Sequence, residues 1–179
     1  MPQATADRPN RPFRGVVTGA VVLLIIAFVL VGVARVFGRE ARQPVSADTA
    51  AAYGAAAAAQ AFPVASPTRL PDGWRALNSD FHTGEPAPML RVGLRAPDGG
   101  AVQLIQSAWP PESLLPAELG AAARPKGDVL VAGRTWQRYL AERGMRALVL
   151  LDPDRTIILV GTASDKDLRG LAGSLLPVG

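Results

Sequence analysis

Between Arg14 and Arg35 lie twenty residues, Gly15 to Ala34, with no charge and one hydroxyl, Thr18. At about 1.5 Å of rise per residue, a helix of that length reaches roughly 30 Å, the thickness of a bilayer's hydrocarbon core. A buried helix of a globular protein carries a polar stripe, and this stretch has none. A cleavable signal peptide has an apolar region of about 7–15 residues ending in a small-x-small site. Here the run is longer and leads into Arg35-Val36-Phe37-Gly38-Arg39. The stretch therefore reads as an uncleaved signal anchor, a single transmembrane helix, and it orders everything around it. Residues 1–14 form a polar, proline-containing disordered tail, 15–34 the span, 35–61 an Ala-rich stalk, and 62–179 a folded domain.

The charges fit this division. The sequence pI of 10.3 suggests a nucleic-acid binder until the charges are located. Residues 1–59 hold six arginines against three acids, a net of +3, whereas 60–179 hold thirteen basic and twelve acidic residues, a net of +1. The basicity belongs to the membrane flanks, where Arg8, Arg11, Arg14, Arg35, Arg39 and Arg42 are expected to meet anionic head groups. No basic run with interleaved aromatics exists in the domain, so nucleic acid is not an expected partner. The flanking arginines tie in number across the span. Moving a tail with three arginines across a membrane is unfavourable, while long domains cross largely regardless of charge. The expected orientation at the plasma membrane is tail cytoplasmic, domain extracytoplasmic. Gly15 and Gly19 form a GxxxG pair, a possible helix–helix contact within the bilayer. With no cysteine, a disulfide framework, a thiolate metal site and a cysteine nucleophile are excluded.

In the stalk, Gln43 to Gln60 is alanine-rich, and a helix capped by Ser46 or Asp48 is expected to run to about Phe62 and to dock weakly at most. Three prolines between Pro63 and Pro71 keep the following segment extended, and Pro71-Asp72-Gly73 is a turn before a first strand from Trp74 to Phe81. Val92, Leu94 and Ala96 alternate with polar residues, as do Val102 and Leu104, which predicts a hairpin. A three-residue Asp98-Gly99-Gly100 loop would pair Leu94 with Leu104 and Ala96 with Val102, with Gly100 in the left-handed position. A short helix over Leu114 to Ala122 and a brief strand over Asp128 to Ala132 follow. Arg134–Ala141, Met145–Leu151 and Thr156–Thr162 then form a meander, the last two being apolar on successive residues and so central. Ser164 caps a final helix whose Leu168, Leu171, Ala172, Leu175 and Leu176 make a core-facing stripe, stopped by Pro177. The fold class is α+β: a mostly antiparallel sheet with a C-terminal helix packed on it.

Chemistry-bearing residues are sparse. His82, the only histidine, lies near Asp80 and Glu85 in a polar loop that reads as solvated. No GxSxG, HExxH, P-loop or GxGxxG motif occurs, so no catalytic residue, metal ligand or cofactor is assigned. Asp152 and Asp154 read as turn residues, and Trp74, Trp109 and Trp136 as core anchors. The candidate ligand or partner surface is the meander's Arg134, Arg138 and Arg146 with Trp136.

Phe62-Pro63-Val64, Leu70-Pro71-Asp72-Gly73-Trp74, Gly133-Arg134-Thr135-Trp136, Arg146-Ala147-Leu148-Val149 and Gly161-Thr162-Ala163-Ser164 follow the anchor in that order. In this the chain resembles the actinobacterial membrane proteins grouped as domain of unknown function 4245. The resemblance implies a single-pass envelope protein with a small α+β domain and brings no catalytic residues to transfer. The ending also looks like the PsbP/Mog1-type sandwich, an analogy of architecture that carries no function. The expected role is a non-enzymatic binding or scaffolding domain at the cell envelope. The alternative is a carrier or sensor of an apolar or lipid ligand held between sheet and helix.

Overall fold

The computed structural model describes residues 45–67 and 69–177. The expected span, its GxxxG pair and its six flanking arginines lie outside the described residues. Among the described residues, no helix is long and apolar enough to cross a membrane. The compact unit that holds these residues runs over Pro44–Gly179.

In chain order the elements are α1 (Val45–Ala59), β1 (Ala65–Pro67), β2 (Arg75–His82), β3 (Met89–Arg95), β4 (Ala101–Ser107) and α2 (Pro111–Leu119). They continue with β5 (Arg124–Val131), β6 (Arg134–Leu140), a 3₁₀ turn (Glu142–Gly144), β7 (Arg146–Asp152), β8 (Arg155–Gly161), α3 (Asp165–Ser174) and β9 (Leu175–Pro177). Seven strands pair antiparallel in the order β2-β3-β4-β8-β7-β6-β5, while β1 and β9 form a separate two-stranded pair. β8 occupies the middle, and every residue of it is buried. Strand periodicity sends Ile157 and Leu159 to one face and Ile158 and Val160 to the other. The α+β reading and the central strands therefore hold.

One face is closed by a single short helix. On α2, Leu114 and Leu119 pack with Ile105, Val149 and Ile158. Arg91 of β3 grips Glu118 of the same helix with two hydrogen bonds, 2.8 and 2.5 Å. The helix starts earlier than predicted, at Pro111 rather than Leu114, because proline suits a first turn whose N–H groups have no partner in the helix. It ends at Gly120, in the left-handed region at φ 89°.

The other face is covered in pieces. Here α3 brings Leu168, Leu171 and Ala172, the segment before β1 brings Phe62 and Val64, and α1 brings Ala56 and Tyr53. The predicted stalk helix forms, but it lies on the sheet and is part of the folded unit. Its alanines let the backbone approach β2 closely, so docking needs no broad apolar stripe. Residues 62–65 are fixed by buried polar groups: Gln106 accepts from the Ala65 N–H at 2.8 Å and donates to its carbonyl at 2.6 Å.

Three predictions are corrected by register. The β3–β4 loop is Pro97-Asp98-Gly99, which pairs Leu94 with Val102 and Val92 with Leu104. The preferred apolar face survives, since the ladder slips by two residues, and Gly99 rather than Gly100 takes positive φ. Pro97 explains the slip: its fixed φ starts the turn one residue sooner, closed by Gly99 N–H to Ala96 C=O at 2.9 Å. The strand predicted at Asp128–Ala132 begins at Arg124, with Pro125 and Gly127 absorbed in a bulge at the sheet edge. The final helix is capped by Ser164 as expected, but it stops at Ser174 because Leu175–Pro177 turn away to pair with β1.

Candidate functional site

Covering a face in pieces leaves seams. The larger seam is a groove of about 810 Å³ between α1, β1 and the first strands of the sheet. Tyr53, Pro67, Leu70, Trp74, Val92 and Leu94 give it an apolar bed. Tyr53 is the one large side chain that α1 contributes here. Burial pushes its phenol well above the ordinary value, so it stays a neutral O–H donor. That hydroxyl makes no hydrogen bond among the described residues.

The second seam is a cavity of about 410 Å³ where β6, β7 and β8 end beside the last turn of α3. Arg134 Nη2 donates to Asp152 Oδ2 at 2.6 Å, and Arg155 Nε donates to the same oxygen at 3.2 Å. Arg155 Nη1 also donates to the Pro63 carbonyl, tying the segment before β1 to β8. The Arg155 side chain is 4% exposed. Desolvation is the main cause that lowers its pKa, with hydrogen bonding and charge from Asp152 acting against it.

The predicted arginine–tryptophan surface is split by this arrangement. Arg134, Trp136 and Arg138 alternate on β6 and so share the face covered by α1 and α3. Trp136 is 0% exposed, a core anchor in line with the expectation for the tryptophans, and it does not belong to any surface. Its indole Nε1 and the Arg138 Nε are buried without a hydrogen-bond partner. Arg138 Nη2 donates to the Lys126 carbonyl at 2.9 Å, which braces the edge strand. Arg146 Nη1 reaches the Ala163 carbonyl at 3.4 Å, just before α3. Of the four, Arg134 lines the second seam. His82 Nδ1 lies 3.5 Å from Asp80 Oδ2 on the outer strand β2, both well exposed. Among the described residues no three His, Cys, Asp or Glu side chains are grouped to hold a metal.

Sequence reasoning missed Tyr53, Asp152 and Arg155. Asp152, expected as a turn residue, closes the β7–β8 ladder opposite Arg155. A signal existed in Asp152-Pro153-Asp154-Arg155, where charges of opposite sign flank a two-residue turn and must face each other across the strands.

No curated protein and no solved structure matches the chain. A family model does match, over residues 8–175, and the chain belongs to that family, described as protein of unknown function (DUF4245).

Proposed function

We propose that this chain is a single-pass membrane protein whose extracytoplasmic domain binds a lipid-like amphiphile in the groove beneath α1. The carrying observation is the groove itself: about 810 Å³ over an apolar bed, with the neutral Tyr53 hydroxyl in its wall. That volume lies within the roughly 300–1,000 Å³ of small-molecule sites, which pair an apolar lining with a few polar groups that orient the ligand. Tyr53 is half-buried, and its neutral hydroxyl can donate to a ligand carbonyl or hydroxyl oxygen. Only ten residues of sequence separate the apolar stretch from α1. The role is binding rather than catalysis, in keeping with a groove whose polar lining is the hydroxyls of Thr49, Tyr53 and Ser66 with Arg69 and Arg75.

Native mass spectrometry of the full chain released from lipid nanodiscs tests this. The expected spectrum carries a lipid adduct in the wild type, which Ala50→Trp removes by filling the groove from its exposed helical wall. A wild-type spectrum without an adduct, or an adduct that survives Ala50→Trp, rejects the groove as the binding site.

A further inference from the structure

The cavity at the ends of β6, β7 and β8 is separate from the groove and asks for a different ligand. Val131 pairs with Arg134 across β5–β6, and Asp152 pairs with Arg155 across β7–β8. Continuing the β6–β7 register from Gln137↔Val149 places Arg134 opposite Asp152, so the three charged residues stand in one cross-strand row. Both guanidiniums donate to one oxygen, Asp152 Oδ2. The second carboxylate oxygen receives no hydrogen bond among the described residues, and neither do Arg134 Nε and Nη1 or Arg155 Nη2 provide one.

Two cations therefore share one anion within a partly desolvated row, with side chains 30%, 26% and 4% exposed for Arg134, Asp152 and Arg155. Asp154, the other acid in the wall, is exposed on the turn, where water screens it. A buried charge that is only half compensated is costly, and an incoming anion relieves it. Guanidinium edges present parallel N–H donors whose spacing matches a planar carboxylate. The remaining wall is largely apolar, with Ala132, Pro153, Ala172 and Leu175 around about 410 Å³. α3 offers this space its carboxy end, which repels negative charge. An anionic group must then lie on the strand side, against the arginines, with its apolar body toward the helix.

We propose that this cavity is a binding site for a small organic carboxylate, held by Arg134 and Arg155 and seated against Leu175 and Pro153. The full chain in nanodiscs, titrated by calorimetry at neutral pH with butyrate, butyramide and inorganic phosphate, tests the assignment. Saturable heat is expected with butyrate and none with its neutral isostere butyramide. Arg134→Gln, on a partly exposed side chain, should weaken butyrate at least about tenfold while the protein stays folded, since Asp152 keeps Arg155 as its partner. Arg155 is left intact, because its bond to Pro63 supports the fold. Absence of butyrate binding, equal binding of butyramide, or full affinity in Arg134→Gln leaves the row a structural clamp and overturns the proposal. Phosphate binding in place of butyrate overturns the carboxylate class. None of these outcomes touches the Ala50→Trp test of the groove.

Discussion

The two faces of the sheet are built from similar residues and closed in different ways. On the α2 face one helix of nine residues closes an apolar cluster, and the Arg91–Glu118 pair fixes it in place. On the opposite face α1, the segment before β1, and α3 meet edge to edge over a larger core that includes Trp74 and Trp136. Both the groove and the arginine cavity open on this second side, at the junctions between its pieces. A cover made of one element has no internal junctions, whereas a cover of three has them, and buried polar anchors then hold the pieces in register. Binding space and long-range polar contacts have the same origin here.

The sharpest way to break this comparison is to remove an anchor. Gln106→Leu leaves the Ala65 N–H and carbonyl buried without partners, at about 1–3 kcal/mol for each orphaned group. Urea denaturation of the full chain should register that loss. Hydrogen exchange should locate it at residues 62–67 and leave α2 unchanged; equal loosening of α2 would mean that the faces are not independent. Glu118→Gln removes the ion pair on the sealed side. With Glu118 partly buried and Arg91 able to turn toward water, a loss of about 1 kcal/mol is expected, between the values for exposed and buried pairs. Its exchange signature should stay within α2 and β3, and faster exchange in α1 would contradict the separation.

The smallest effect tests the loop that joins the hairpin to α3. Asp98 accepts from the Gly100 N–H at 2.8 Å and from the Ser164 N–H at 2.7 Å. Those bonds, the Gly100 one foremost, hold its carboxyl below the usual carboxylate range. A depressed folded-state pKa stabilises above the unfolded value of about 3.9 and ceases to do so as pH falls through the folded value. Acidification should therefore lower the protection of Gly100 and Ser164, relative to the intrinsic exchange rate at each pH, before it affects the strands, and Asp98→Asn should flatten that acid response. An unaltered response in the variant would assign it to another group.

Much of the sheet was legible because its strands alternate or run apolar over seven residues, long enough for periodicity to register. Helix α3 was legible from Ser164 and its leucine spacing, except for its end. That end is set by pairing with β1, a strand of three residues containing proline, and no local pattern announces so short a partner. The docking of α1 was hidden for another reason: alanines contribute closeness rather than an apolar stripe, so its periodicity is silent. The site was legible only in part. Alternation along β6 correctly groups Arg134, Trp136 and Arg138, but alternation does not say which face is covered, and the covered face turned the patch inward. Asp152 and Arg155 flank a two-residue turn that the sequence displays, but their meeting with Arg134 exists only once three strands are in register.

The pairing of β1 with β9 also dictates a sequence of events. β1 leaves the ribosome near the beginning of the domain, and its partner is among the last residues described, Leu175–Pro177. Until that partner arrives, β1 has no strand beside it, and the arginine bond to Pro63 must await β8. The cover on that side is thus assembled after the sheet it covers. The last lock on that side is β9, and the two ends of the domain are fastened to each other in a single closing step.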